Sequence, residues 1–519
     1  MPRPQAEPSE AEAELRTRPG AYVVILAFSG ITVSLMQTLV IPLVPRLPAL
    51  LNASTADTAW TVTVTLLAAA VATPVVGRLG DMYGKRRMLL LSLGALVVGA
   101  VIVALSNSLP PMLVGRALQG MAGGVIPLGI SIMRDELPPH RLGSATATMS
   151  SSLGVGSALG LPAAALIADH AHWHTPFWIA AVLGALAMAL VLRYIPESKV
   201  RSGGRFDLVG AFGLSIVLVC LLLVISKGSD LGWTSRTTLS LLAAAAVVLA
   251  AWIPFELRRR APLVDLRTFA RPQVLLTNAA SVIFAFGMFG IALVLPQVLQ
   301  LPEATGYGLG QSMVSVGLVM APQGLVMMVV APISGRISNA RGPKTTLMLG
   351  AFVVACGYIL ALVMSDHLWQ LILASSFIGA GIGFGYGAMP ALIMGAVPVT
   401  ETAAANSLNT LMRAVGTSVS SAVAGAVLAG MTMTVGPAVF PSLDGLRLVL
   451  AVCAGASLLT VAVAWFIPGR SRERGEQEPG GSPEKAVALP ARLGYGPPIP
   501  LFRMLERERN GHVSPYGPA

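Results

Sequence analysis

The sequence predicts an all-α polytopic membrane protein with fourteen transmembrane helices: two six-helix bundles in parallel pseudo-repeat, joined by a connecting helix pair. Three observations carry that expectation: long uncharged runs, a one-sided placement of cations, and a cluster of glycine and charge that occurs twice. Of 519 residues, 54% are hydrophobic and only 11% charged, whereas soluble domains run at roughly 25% charged. Mean hydropathy is +0.73. About 20 apolar residues cross ~30 Å of hydrocarbon as a helix, and a helix satisfies its own backbone groups where no water is present.

Residues 1–19 form an expected cytoplasmic tail, acidic through Glu7, Glu10, Glu12 and Glu14 and without the apolar core of a signal peptide. The first span then serves as the insertion signal. An amino-terminal bundle over 20–195 is read with spans at 21–45, 57–77, 88–106, 111–132, 143–168 and 176–195. Between the second and third, Gly77–Arg87 (GRLGDMYGKRR) reads as a loop at the membrane surface, and Arg134–Arg141 reads as a short polar loop before the fifth. A connecting segment over 196–272 carries two extra spans at 208–226 and 237–255 and ends in a basic stretch. The carboxy-terminal bundle, 273–467, has spans at 273–299, 311–333, 345–364, 368–396, 403–432 and 445–467. Residues 468–519 are rich in Gly, Pro, Glu and Arg, a composition expected of a disordered cytoplasmic tail or of a docking tail.

Placing both termini on one side puts nearly all of the 35 Lys and Arg there. Only Arg46, Lys227, Arg236 and Arg447 fall opposite, and Arg116 and Arg413 lie within spans. Positive loops stay cytoplasmic, so both termini are expected to face the cytoplasm of a cell membrane, inner or plasma. The same placement argues against nucleic acid as a partner despite the net charge of +11. The dominance of Arg over Lys leans towards a GC-rich bacterial genome. Cys220, Cys356 and Cys453 sit far apart inside apolar runs and read as free thiols.

The cluster at Gly77–Arg87 recurs at Gly335–Lys344 (GRISNARGPK). Gly77 corresponds to Gly335, Arg78 to Arg336, Leu79 to Ile337, Gly84 to Gly342 and Arg86 to Lys344, while Pro74 corresponds to Pro332 and Asp81 to Asn339. More loosely, Pro138 and Ala145 find Pro398 and Ala405. Parallel repeats point to two halves rocking about a central substrate site.

Individual residues allow alternatives. Asp81 either bridges the halves as part of a gate or only anchors a tight turn. An arginine within a span costs several kcal/mol unless paired or facing water, so Arg116, with Gln119 beside it, faces a cavity or snorkels to the surface. Arg413 shares one helical face with Asn406, Asn409, Gly416 and Ser420, a stripe that lines a cavity or forms a structural network. Gln37, Gln297, water or a substrate carboxylate would pair the two arginines. Phe377–Gly387 (FIGAGIGFGYG) lacks the GK(S/T) ending of a phosphate loop and reads as helix packing. His170, His172 and His174 read as a solvated outer loop, with metal binding or a pH response as alternatives. Without a nucleotide loop, energy is expected from an ion gradient.

These residues resemble the major facilitator superfamily. Gly77, Leu79, Asp81, Gly84, Lys85, Arg86 and Arg87 fill a pattern similar to its GxLxDxxGR(K/R)(K/R) signature, and Arg116, Gln119 and Gly120 match part of one in the fourth span. The resemblance covers about residues 20–467, and the fourteen spans look like the drug:proton antiporter branch. It implies a gating role for Gly77, Asp81, Gly84, Lys85, Arg86 and Arg87. It further implies that Gly156, Gly160 and Pro162 are what remains of an antiporter packing motif in the fifth span, although Leu161 separates Gly160 from Pro162. Met36 and Ile41 replace the acid and the Asn usual in the first span of that branch. The implied function is secondary transport: proton-coupled efflux of small amphipathic or hydrophobic compounds by alternating access. No cofactor, no metal and no enzymatic activity are expected; the partners are a small-molecule substrate and the bilayer, around a monomer. The alternatives are a transporter of a specific, anionic metabolite and, from another class, a non-transporting sensor or a membrane enzyme.

Overall fold

In the computed structural model, residues 19–468 are described, apart from 41, 42, 45, 260, 365, 366, 436 and 437. The two expected tails, the first-span position Ile41 and the side chain of His170 lie outside the described residues. The long helices are α1 (Pro19–Leu39), α2 (Trp60–Tyr83), α3 (Lys85–Leu105), α4 (Leu109–Glu136), α5 (Pro139–His170), α6 (Thr175–Tyr194) and α7 (Leu208–Leu231). They continue as α8 (Arg236–Arg258), α9 (Pro272–Gln300), α10 (Met313–Arg341), α11 (Pro343–Val363), α12 (Leu368–Met394), α13 (Thr402–Gly430) and α14 (Leu443–Trp465). Among the described residues, 13 helices are long and apolar enough to cross a membrane. α5 is not one of those 13; it has 32 residues, and several of its side chains lie outside the described set.

Two expectations are corrected. Gly77–Arg87 is not a loop: α2 runs through Tyr83, α3 starts at Lys85, and Gly84 alone breaks the helix, at φ +121°. That backbone conformation suits glycine and strains any residue with a Cβ. Gly342 makes the same break between α10 and α11, at φ +87°. Arg134–Arg141 is likewise mostly helical, since α4 reaches Glu136 and α5 begins at Pro139. The architecture is all-helical, with one short addition: Thr432–Val435 and Ala438–Pro441 pair as an antiparallel hairpin between α13 and α14. The phenol of Tyr307 donates a hydrogen bond to the Pro441 carbonyl and ties this hairpin to the segment after α9.

Two large apolar cores organise the helices. One is built by α9–α14 around Phe284, Leu347, Tyr358, Ile378 and Leu446. The other is built by α1–α6 around Leu26, Leu89, Leu93, Leu128 and Met149, and it also takes in Met394 and Ala403 from the carboxy-terminal side. Two seams join these sets: α5 against α10 and α12, and α2 with the end of α4 against α13. At the first seam a Cβ on Gly335 would collide with the Ser144 backbone, and one on Gly324 would meet the Gly154 carbonyl at 2.5 Å. Small residues let backbones approach this closely. α7 lies over the second seam, where Ala211, Leu214, Leu218 and Leu222 share a cluster with Ala70 of α2 and Leu411 of α13. At the base of α7 and α8, Glu256 accepts from the Val264 N–H at 2.9 Å and Trp252 donates to the Gly210 carbonyl at 2.8 Å.

Candidate functional site

The first four N–H groups of a helix have no partner within it, and their dipole favours a nearby negative charge. At the start of α13 that charge comes from α2. Asp81 is fully buried, and its two oxygens accept from the N–H groups of Ala403 at 3.1 Å and Ala404 at 2.8 Å. Gly77, one turn earlier, lets the helices meet, because a Cβ there would lie 2.9 Å from the Ala403 carbonyl. Lys85, also fully buried, sits between Asp81 at 3.8 Å and Asp135 at 2.6 Å. The Ser198 hydroxyl donates to the same Asp135 oxygen at 2.5 Å.

Arg134, beside Asp135, reaches across to the end of α12. It donates to the carbonyls of Met394 at 2.7 Å and Val397 at 3.1 Å, and to the Thr402 hydroxyl at 2.6 Å. A cation suits the carbonyl end of a helix as an anion suits the amide end. Asp81 and Arg134 thus grip the two sides of the α12–α13 connection. The two carboxylates Asp81 and Asp135 are balanced by Lys85 and Arg134, so the latch is neutral as a whole.

The remaining motif cations face the connecting segment. The Arg86 N–H donates to Glu197 at 3.2 Å, the Arg86 guanidinium donates to the Leu192 carbonyl, and Arg87 lies 3.7 Å from Glu197. The Ser202 N–H donates to the Asp81 carbonyl at 2.7 Å. Asn339, the counterpart of Asp81, donates to the His140 carbonyl at 2.9 Å, at the start of α5. Each copy of the motif therefore meets the opening turn of a helix from the other set, but with an amide to a single carbonyl in place of a carboxylate to two N–H groups.

The two intramembrane arginines differ. Arg116 is 2% exposed; its Nε donates to the Thr61 carbonyl at 3.0 Å and its Nη1 to Gln119 Oε1 at 2.7 Å, while the Thr65 hydroxyl donates to its backbone carbonyl at 3.1 Å. It ties α4 to α2 within the amino-terminal helices. Arg413 is 4% exposed, stacks 4.4 Å over the Tyr386 ring and donates to the Thr410 hydroxyl at 3.1 Å, but its Nε and Nη1 have no hydrogen-bond partner among the described residues. Gln37, which is exposed, and Gln297, which is half-buried, are not the partners of either arginine. Local polar groups on the same or the facing helix take that place.

The stripe on α13 is buried throughout. Asn406 donates to the Thr402 carbonyl at 3.0 Å, and Asn409 donates to Asn278 at 2.9 Å and Ser281 at 2.8 Å, both on α9. Gly156 and Gly160 of α5 pack on Ser34 and Thr38 of α1, whereas Pro162 packs on Gly317 of α10. Phe377–Gly387 lies inside α12. His172 and His174 stack with Nδ1 atoms 2.9 Å apart, His174 Nε2 contacts the Ser106 carbonyl at 2.9 Å, and no group of three metal-ligating side chains occurs among the described residues. Cys220 and Cys453 are buried and free, and Cys356 is half-buried and free.

Sequence reasoning missed Arg134, Asp135, Glu197 and Ser198. The available signal was the run Arg134, Asp135, Glu136 closing α4 at the same end as Lys85, a charge complement to the motif.

Comparison with known proteins agrees with this architecture. The profile of the Major Facilitator Superfamily matches residues 26–421 and, in a second match, 302–509. The chain is similar to the Tetracenomycin C resistance and export protein of Streptomyces glaucescens, at 28% identity over 88% of this chain and 85% of that one. It is similar to Multidrug resistance protein 3 of Bacillus subtilis, at 26% identity over 71% of this chain and 72% of the relative. Multidrug resistance protein Stp of Mycobacterium tuberculosis is 26% identical over 71% of this chain and 68% of its own length. Among solved structures, the crystal structure of the human organic anion transporter MFSD10 shares the fold with a TM-score of 0.61 at 16% identity, covering 86% of this chain and 99% of that one. The chain is a multi-pass membrane transporter rather than an enzyme, and it belongs to the Major Facilitator Superfamily.

Proposed function

We propose that the protein exports small amphipathic or hydrophobic compounds in exchange for protons, by alternating access between an amino-terminal bundle (20–195) and a carboxy-terminal bundle (273–467). The observation that carries this reading is the buried latch: Asp81 and Arg134 of one set of helices hold the α12–α13 connection of the other, at one end of the helices. Opening that end has to break these bonds. Charge-assisted hydrogen bonds contribute about 1.5–3 kcal/mol each, enough for a few of them to decide between two states. A proton on Asp81 would cancel its charge and weaken both contacts to α13, which offers a direct path from protonation to opening.

On this reading α5 is the fourteenth span, and the paired breaks at Gly84 and Gly342 support a parallel repeat. α7 and α8 form the connecting pair. The cation bias makes the latch end cytoplasmic, with both termini on that side of a bacterial cell membrane. The protein acts as a monomer, with the proton gradient as energy source and no cofactor. The resistance and export functions named for the relatives support the outward direction.

The test is ethidium flux in proteoliposomes under an imposed pH gradient. Wild type should accumulate dye against its gradient, and collapse of the pH difference should abolish this. Flux indifferent to the pH gradient would contradict proton exchange. Asp81→Asn should lower the rate at least tenfold with the protein still folded and inserted.

A further inference from the structure

The two intramembrane arginines look equivalent in sequence and are not equivalent in the structure. Arg116 is closed off by a carbonyl and an amide. Arg413 keeps two buried donors, Nε and Nη1, without a protein acceptor among the described residues. Guanidinium has no neutral form within reach, and a buried charge without a counter-ion costs several kcal/mol. Among the described residues its surroundings supply the ring face and the phenol of Tyr386 and the hydroxyl of Thr410, all neutral groups. More unpartnered buried polar atoms lie on the same stripe and on the facing helix: Asn406 Oδ1 and, on α9, Asn278 Nδ2.

The position is also right for cargo. Tyr386 precedes Gly387, and a Cβ on Gly387 would lie 2.8 Å from Ala147 of α5. Arg413 on α13 and Tyr386 on α12 are carried by helices that meet α2, α4 and α5 of the other set, along which a transported molecule must pass. A planar fork of N–H donors beside an aromatic face matches an oxyanion carried on a flat ring system: two donors for the oxygens, one face for stacking.

We propose that Arg413, with Tyr386, is a binding site for the anionic group of an aromatic carboxylate or an acidic phenol, and that such organic anions are the preferred cargo class. This deepens the transport reading above and rests on it only for calling the ligand cargo. Arg116 carries no such role.

The test compares 1-naphthoate with 1-naphthamide, which share a ring and differ in charge, by calorimetric binding to the full chain in phosphatidylcholine nanodiscs without anionic lipid or chloride. Wild type should prefer the carboxylate at least tenfold. Arg413→Gln should reduce the preference below twofold through loss of carboxylate affinity, and a monodisperse elution profile with a cooperative thermal transition reports that the variant is folded. Arg413→Lys, which keeps the charge but loses the fork, should fall between. Equal binding of acid and amide by wild type, no binding of either, or a preference that survives Arg413→Gln would each overturn the proposal. Flux of ethidium and of 1-naphthoate in proteoliposomes separates the two readings: pH-driven ethidium flux without acid preference in binding removes this inference alone, and acid preference with flux of both compounds indifferent to the pH gradient removes proton exchange alone.

Discussion

At the residue scale, charge in this protein follows partners rather than exposure. Lys85 and Asp81 are both fully buried, in a stretch whose composition reads as solvated loop. A one-dimensional reading assigns charged residues to water because burial without a partner is costly. The partners here, Asp135 and the opening turn of α13, come from elsewhere in the chain and leave no local mark. The same blindness hid Arg134, which reads as part of a polar connection. Arg116 reads in sequence as facing a cavity or snorkelling to the surface, whereas the structure closes it off against the Thr61 carbonyl and Gln119. Its role predicts a stability effect: Arg116→Leu leaves the Thr61 carbonyl and Gln119 without their donor, which costs about 1–3 kcal/mol for a buried unsatisfied group. Thermal unfolding of purified protein should show a lowered midpoint for Arg116→Leu and a smaller change for Arg413→Gln. Equal shifts would mean that Arg413 too is held by protein groups.

At the scale of elements, the helices were legible because apolar runs of about 20 residues have few other fates. Their ends were not. α2 extends to Tyr83 and α4 to Glu136 because tertiary contacts satisfy charges that water would otherwise have to reach. The hairpin after α13 was missed because four-residue strands carry too little pattern to stand out beside long helices. Motif spacing did pair Gly84 with Gly342, although as members of a loop; in the structure each is a helix break, where a positive φ leaves little choice of residue. Close helix approach gives a sharp prediction at the α5–α10 seam. Gly335→Ala places a methyl against the Ser144 backbone and should destabilise by about 1–3 kcal/mol. Gly425→Ala, on α13 with no neighbouring atom within 4 Å, should be neutral or stabilising by up to about 1 kcal/mol. Thermal melts of the pair check this, and a Gly335→Ala variant as stable as wild type would refute the tight seam.

At the scale of the whole molecule, two apolar cores are joined along two seams, and the polar latch, from α2 and α4 to the α12–α13 connection, acts at one end of the second. Cores of this kind are packed too densely to deform continuously, so relative motion falls to the seams between them. The latch is unequal to its counterpart, since Asn339 makes one neutral bond where Asp81 makes two charge-assisted ones. Asp81 should therefore control the closed state more strongly than Asn339. Spin labels at Tyr83 and Val399, both exposed near the latch, measure this by electron–electron double resonance in nanodiscs. A single short distance is predicted for the otherwise native protein, with Asp81→Asn shifting a substantial population to a longer one. A distance distribution that Asp81→Asn leaves unchanged would contradict the claim that this carboxylate holds the two halves together.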